Sequence, residues 1–455
     1  MYKIFLNLFL IVIIYFLASF IPLDTSEFES AKNTLNNFTL SKPKPAEDME
    51  SINRSYKTNI SETHLHNPTN MQFIMIGEFD KGSFSLDNDH DIILEVYRND
   101  NLIKKYVNTE FIVGLDDTEF NKNEIKYSIN ISQENLDLKN GQYRFKIFST
   151  LEIFDNVPPY ELFVNYLNSS DYISAKNTVR DGEMYITLYF PNDNHQYLVP
   201  ISRKIPKTGE IYRKIINNLL LGANPSLGLN SGSPIPHVPR IWVSSGMATI
   251  YLPNNIGIYD QSSTVSQSAL NSFVNTLTSL NGIDRVKFLK GGREVERFFH
   301  NTYIKEPFQR NSFPRVYLGL QTNTERLLLA PIEISENNIE MEQLVRNIFN
   351  SLQTGIVNNY HHESLLALIP RSVELLNYEY SNNLLTLNLS KDFINIYNKK
   401  DGIKKMMLDS ILYSFTSIPE VNKISIKVNG NPVDSFGGVD LSKPIAAPKF
   451  INVEI

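Results

Sequence analysis

The sequence predicts an α+β protein, built as two tandem copies of a β-β-α-β-α-β unit preceded by a small β-sandwich and an N-terminal transmembrane helix. Three observations lead there. The stretch LTSLNGIDRVKFLKGGREV (277–295) is nearly restated as FTSIPEVNKISIKVNGNPV (415–433), so one unit occurs twice. Residues 71–152 alternate apolar and polar side chains in short runs, the pattern of half-buried strands. Residues 4–21 carry no charge. At 455 residues the chain exceeds what a single core normally fills, and a composition of 42% hydrophobic and 20% charged residues is that of a globular protein.

Taken in order, the first element is the run IFLNLFLIVIIYFLASFI, residues 4–21. As a helix its 18 residues would span about 27 Å, enough for a thin bilayer. Lys3 precedes it and Asp24, Glu27 and Glu29 follow, which places the short basic end in the cytoplasm and the body of the chain outside the membrane. Residues 1–21 therefore read as a transmembrane anchor or signal segment. The run is longer than a usual signal core, and Ala18-Ser19 makes a poor cleavage site, so an anchor is expected. Residues 22–70 mix charge with Asn, Ser, Thr and a KPKP pair, and read as a flexible linker.

From Met71 the runs QFIMIGEF, DIILEVYRNDNLIKKYV, NEIKYSINI and NGQYRFKIF are punctuated by Asn, Asp and Gly, which predicts antiparallel strands. Residues 71–152 read as a β-sandwich of immunoglobulin-like character, with 153–182 as a connector. Two units follow, at 183–300 and 313–445. Each opens with a strand, YITLYF (185–190) or VYLGLQ (316–321), which sets Tyr185 against Val316. An amphipathic helix comes next: Ile211, Ile215 and Leu219 in the first copy match Leu344, Ile348 and Leu352 in the second. Gly222 and Gly355 stand at the same spacing behind those helices, where a left-handed residue is needed. ATIYL and LTLNL predict the next strands, then a second helix, then the quoted strand and hairpin.

Composition excludes several functions. A net charge of -6 gives no overall attraction to nucleic acid. The absence of cysteine removes disulfides, thiolate catalysis and Cys-based metal sites. Asp87-Asn88-Asp89-His90-Asp91 begins like a calcium loop, but Ile92 and Arg98 stand where that loop needs Gly and Glu. Tyr360-His361-His362-Glu363 lacks a third ligand at useful spacing and reads as an exposed loop. No catalytic, cofactor or metal site is expected. For interaction, Arg285, Lys287 and Arg293, with Lys423 and Lys427 in the second copy, form a cationic stripe at a sheet edge. Trp242, among Pro234, Pro236 and Pro239, is expected in the core, with a partner-anchoring contact as the alternative.

YITLYFPNDNHQYLVPISRKIP, IINNLLLGANP, GMATIYLPNN and NTLTSLNGIDRVKFLKGGREV together resemble the GerMN module of spore germination and sporulation proteins, and the second copy resembles it again. The resemblance implies a non-enzymatic, extracytoplasmic protein of a spore-forming bacterium, with modules similar to ring-building α+β domains of the envelope between mother cell and forespore. Its implied partners are other envelope or sporulation proteins, a second copy of the chain, and the membrane, with no nucleic acid. Two features depart from the family. There is no Cys for a lipid anchor, and Gly246 of the first copy becomes Asn383 in the second. The reading is a membrane-anchored assembly protein of sporulation or germination. The alternative is a binder of peptidoglycan or another anionic envelope polymer, resting on the cationic stripe.

Overall fold

A computed structural model describes residues 54–454 apart from 62, 80–90, 99, 116–122, 168–171, 336–338, 363 and 398–399. The apolar run 4–21, the acidic turn at 87–90 and Glu363 lie outside the described residues. Among those described, no helix is long and apolar enough to cross a membrane.

Two sheets form the N-terminal layer pair. One has the order Ser55–Thr58, Asn70–Ile76, Glu124–Asn130, Ile112–Leu115, and the other His64–His66, Tyr160–Tyr166, Gly141–Ser149, Ile92–Arg98, Asn101–Val107. Alternation drives the burial: in Gly141–Ser149 every second residue is buried, so Tyr143, Phe145 and Ile147 enter the core while Arg144 and Lys146 stay at the surface. They meet Phe73, Met75 and Leu94 in one apolar cluster. Three strands lie outside the expected 71–152 limits. Ser55–Thr58 and His64–His66 come from the expected linker, and Tyr160–Tyr166 from the expected connector. The first two bury a single apolar side chain each, Tyr56 and Leu65, too few to set up a period in the sequence.

The first module runs as the hairpin Glu183–Pro191 and Leu198–Pro206, helix α1 (Ile211–Leu220), the hairpin Arg240–Ser244 and Met247–Leu252, helix α2 (Ser263–Thr278), and Arg285–Lys290. The second repeats it with Arg315–Gln321, Leu327–Glu333, helix α3 (Met341–Thr354), Leu375–Ser381, Leu384–Leu389, helix α4 (Asp401–Phe415) and Lys423–Val428. In each, the strand after the second helix pairs in parallel with the strand before it, a β-α-β crossover. Arg240–Ser244 and Leu375–Ser381 are one strand more per copy than the β-β-α-β-α-β expectation. Each lies at an outer edge with no fully buried side chain, so hydrophobic periodicity does not reveal it.

The first-strand alignment also needs correction. The Tyr189 N–H donates to Thr276 Oγ1 (3.0 Å) and the Tyr317 N–H to Ser414 Oγ (2.9 Å), so Tyr189, not Ile186, stands where Tyr317 stands. From these tyrosines to their cross-strand partners, Pro200 and Pro331, the second copy has three more residues, which shifts the sequence landmark. The helix stops agree with expectation: Gly222 (φ 77°) and Gly355 (φ 71°) are left-handed. At Gly222 a Cβ would lie 3.0 Å from the Ser231 and Gly232 carbonyl oxygens, so a side chain is disfavoured by both conformation and space. The turn with Asn383 keeps the shape of the turn with Gly246, because Asn also enters the left-handed region (φ 59° and 75°).

The modules do not have separate cores. Buried apolar residues of both belong to one continuous cluster. Between them runs the C-terminal segment. Buried Asn452 donates to the Pro200 and Leu329 carbonyls (2.9 and 2.8 Å) and accepts from the Leu329 N–H (2.9 Å). One side chain thus ties a strand of each module. Glu454 pairs with Arg203, whose guanidinium also donates to the carbonyls of Asn218 (3.0 Å) and Gly222 (2.8 Å) at the end of α1. Gly228 closes the contact from the other side: a Cβ there would lie 2.6 Å from the Thr324 nitrogen.

Candidate functional site

Among the described residues, no group of three His, Asp or Glu side chains is placed to hold a metal. Tyr360–His361 is a strand of a tight hairpin with Ile356–Val357, turned by Asn358 and Asn359, both left-handed, rather than an open loop. His362 is half-buried, its Nδ1 3.2 Å from the Tyr197 hydroxyl.

The predicted interaction residues are better described by sheet face than by edge. Arg285–Lys290 is flanked along its length by Met247–Leu252 but by Phe308–Gln309 only at Arg285 and Val286, so Arg285 is internal to the sheet and Lys287 lies just past that short strand. Val286 and Phe288 point inward and are buried; Arg285 and Lys287 alternate with them and point outward. Trp242 is opposite Thr249, and Thr249 is opposite Lys287, so these three share the outward face. Trp242 is 56% exposed, which overturns the core expectation. The adjoining loop supplies core residues in its place: Pro234 and Pro236 are buried, and Arg213 holds the loop by donating to the Val238 and Pro239 carbonyls.

Sequence reasoning missed Arg240. It lies one period-2 step from Trp242, with its guanidinium 5.8 Å from the Trp242 ring and 5.1 Å from the Tyr251 ring. The signal was present in RIWVS once that segment is read as a strand. Lys287 is paired with Glu294, and that hydrogen bond, with the charge behind it, holds the Glu294 carboxyl below its usual range. Arg293 is exposed just beyond the Lys290–Arg293 turn, where the expected hairpin forms.

The second module presents a different face. By strand register, Lys423 stands where Arg285 stands, since Met247 pairs with Arg285 and Leu384 with Lys423. Glu379, opposite Thr386, takes the place of Trp242, and Ser425 that of Lys287. Lys427 is 3.7 Å from Glu379 in an exposed pair. The first face is aromatic and cationic, and the second is mixed in sign.

The family described as Germane, sporulation and spore germination, matches residues 187–296 and 315–434, half of the chain. The chain belongs to that family. Its two Germane segments start at Thr187 and Arg315, each two residues before the equivalent tyrosines Tyr189 and Tyr317. Spore germination protein GerM of Bacillus subtilis (strain 168) is 21% identical over 288 residues, 57% of this chain and 76% of GerM. The solved tandem GerMN domains of the sporulation protein GerM from Bacillus subtilis are 20% identical, with a TM-score of 0.46, over 60% of this chain and 99% of theirs. A putative lipoprotein from Clostridium perfringens matches with 27% identity and a TM-score of 0.20, over 29% of this chain and 85% of its own.

Proposed function

We propose that this chain is a non-enzymatic assembly protein of sporulation or spore germination, anchored in the membrane by residues 4–21, with the outward sheet face of its first module as the docking surface for an acidic partner protein. The observation that carries this reading is Trp242, exposed and bracketed by Arg240, Arg285 and Lys287 on one face. Tryptophan and arginine are the residues that most often dominate binding energy at interfaces. The sandwich is taken as an immunoglobulin-like spacer between anchor and modules. The test uses the full chain in its host. Trp242→Ala combined with Arg285→Glu is expected to abolish crosslinks to envelope proteins and to lower heat-resistant spore yield or delay outgrowth, with the chain still accumulating normally. Undiminished crosslinking and normal spores would show that the face is not the docking surface.

The same cations favour a second reading, retention of an anionic envelope polymer such as peptidoglycan. Purified wall material would then retain the wild-type chain and release an Arg285→Glu, Lys287→Glu variant, whereas equal retention of both removes this reading.

A further inference from the structure

A cleft of about 670 Å³ opens along α2 between the two modules, within the roughly 300–1,000 Å³ typical of ligand sites. One wall is a stripe of α2. Thr264, Gln267, Ser268, Asn271 and Asn275 fall at i, i+3, i+4, i+7 and i+11, so they share one helix face, and all five line the cleft. The whole helix, STVSQSALNSFVNTLT, contains no charged residue. A helix face meant only for water usually carries Lys and Glu; this one offers amides and hydroxyls. Ser268 is 5% exposed and its Oγ has no hydrogen-bond partner. On the far wall Arg315 and Glu333 neutralise each other at 2.8 Å.

The second module shows what such a groove holds. Thr276 and Ser414 are equivalent by their hydrogen bonds to Tyr189 and Tyr317, and counting back along each helix makes Asn271 the counterpart of Asp409. On α4 that face is covered by extended chain. The Tyr172 hydroxyl and the Ala175 N–H both donate to Asp409 Oδ2, at 2.5 and 3.2 Å. The Tyr413 hydroxyl donates to the Pro448 carbonyl (2.7 Å). Lys176 and Phe450 bridge the covering strands, each N–H donating to the other's carbonyl at 2.9 Å. Under this cover Asp409 is 7% exposed, while Met406, at the position of Ser268, is fully buried with its methyl beside Gly319 of the sheet.

We infer that the α2 cleft is a binding site for an extended, uncharged polypeptide segment of a partner protein, laid across α2 as residues 172–177 lie across α4. Asn271 meets a backbone N–H or a tyrosine hydroxyl where Asp409 does so in the second module. The Asn271 Oδ1 accepts from Gln267 Nε2 (3.0 Å), which leaves its second lone pair for a peptide N–H and its amide hydrogens for a peptide C=O, a donation the carboxylate cannot make. The site lies apart from the Trp242 face and does not depend on it.

The test is selection of random 12-residue peptides, displayed on phage, against the purified full chain in detergent, with counter-selection against Ser268→Trp, which fills the cleft. Selected peptides, made synthetically, are expected to bind the wild type and to lose at least tenfold in affinity for Asn271→Ala and for Gln267→Lys, an exposed rim change that spares the core. Thermal unfolding of each variant confirms that it is folded. Failure to select any peptide whose binding depends on Asn271 overturns the inference. So does Asn271-dependent binding of N-acetylglucosamine oligomers in place of peptides, which would make the cleft a glycan site.

Discussion

Helices α2 and α4 occupy equivalent places in two copies of one fold, yet one carries an open stripe of amides and hydroxyls and the other a stripe covered at Asp409 and Tyr413. The outward sheet faces differ in the same spirit, Trp242 in the first copy against Glu379 in the second. The cores that hold these positions are alike, because Val286 and Phe288 do the same packing as Ile424 and Ile426. Duplication preserved what buries apolar surface and released what faces outward, so the informative residues are the unmatched ones.

The strongest way to break the comparison is to cut the modules apart. Asn452→Ala leaves the Leu329 N–H and the Pro200 and Leu329 carbonyls buried without their partner, which is expected to lower stability by roughly 3 kcal/mol, read as a shift in urea midpoint. A loss under about 1 kcal/mol would mean that apolar contact alone joins the modules.

The covered groove is sharpened by pH. Burial raises the pKa of Asp409 to about 6 from 3.8, against the opposing hydrogen bonds from Tyr172 and Ala175 and the charge of Lys405. A raised carboxyl pKa means that the folded state holds its proton more tightly than the unfolded state. This group's contribution is therefore most favourable below about pH 4 and declines as pH rises to 6, by roughly 2–3 kcal/mol. Asp409→Asn should flatten that part of the stability–pH curve, and Asn271→Ala should leave it intact. An unaltered slope in Asp409→Asn would remove Asp409 as its source.

Gly222→Val is expected to lower stability by about 1–2 kcal/mol, since it combines a strained positive φ with the Ser231 and Gly232 oxygens at 3.0 Å. A denaturation midpoint equal to wild type would contradict the left-handed helix end. Trp242→Ala should have the smallest effect, within about 0.5 kcal/mol on unfolding, because the ring is mostly in solvent. A larger loss would return Trp242 to a packing role.

The helices and the strands on either side of the second helix were legible because each repeats a burial pattern, and Gly222 and Gly355 because only glycine enters the left-handed region cheaply; the parallel pairing of those strands was not. The outer strands Arg240–Ser244 and Leu375–Ser381 were not, since the first offers only two alternating apolar residues, Ile241 and Val243, with Trp242 between them, and the second does not alternate. Trp242 was misplaced for a related reason: a rule about residue type spoke for the core, while strand register put the ring outside. The α2 stripe was visible in principle, as sixteen residues without charge, but an uncharged helix reads equally well as a buried one.

By itself the sequence determined that one unit occurs twice, where its helices end, and that no cysteine chemistry operates. Those properties are local or periodic, set by side-chain spacing and backbone conformation. Only the tertiary structure decided that Asn452 binds two strands far from it in sequence, that Trp242 and Lys287 share a face, and that the groove on α4 is filled while its twin on α2 is open. Such contacts join residues with no regular spacing between them, and only the folded chain brings them together.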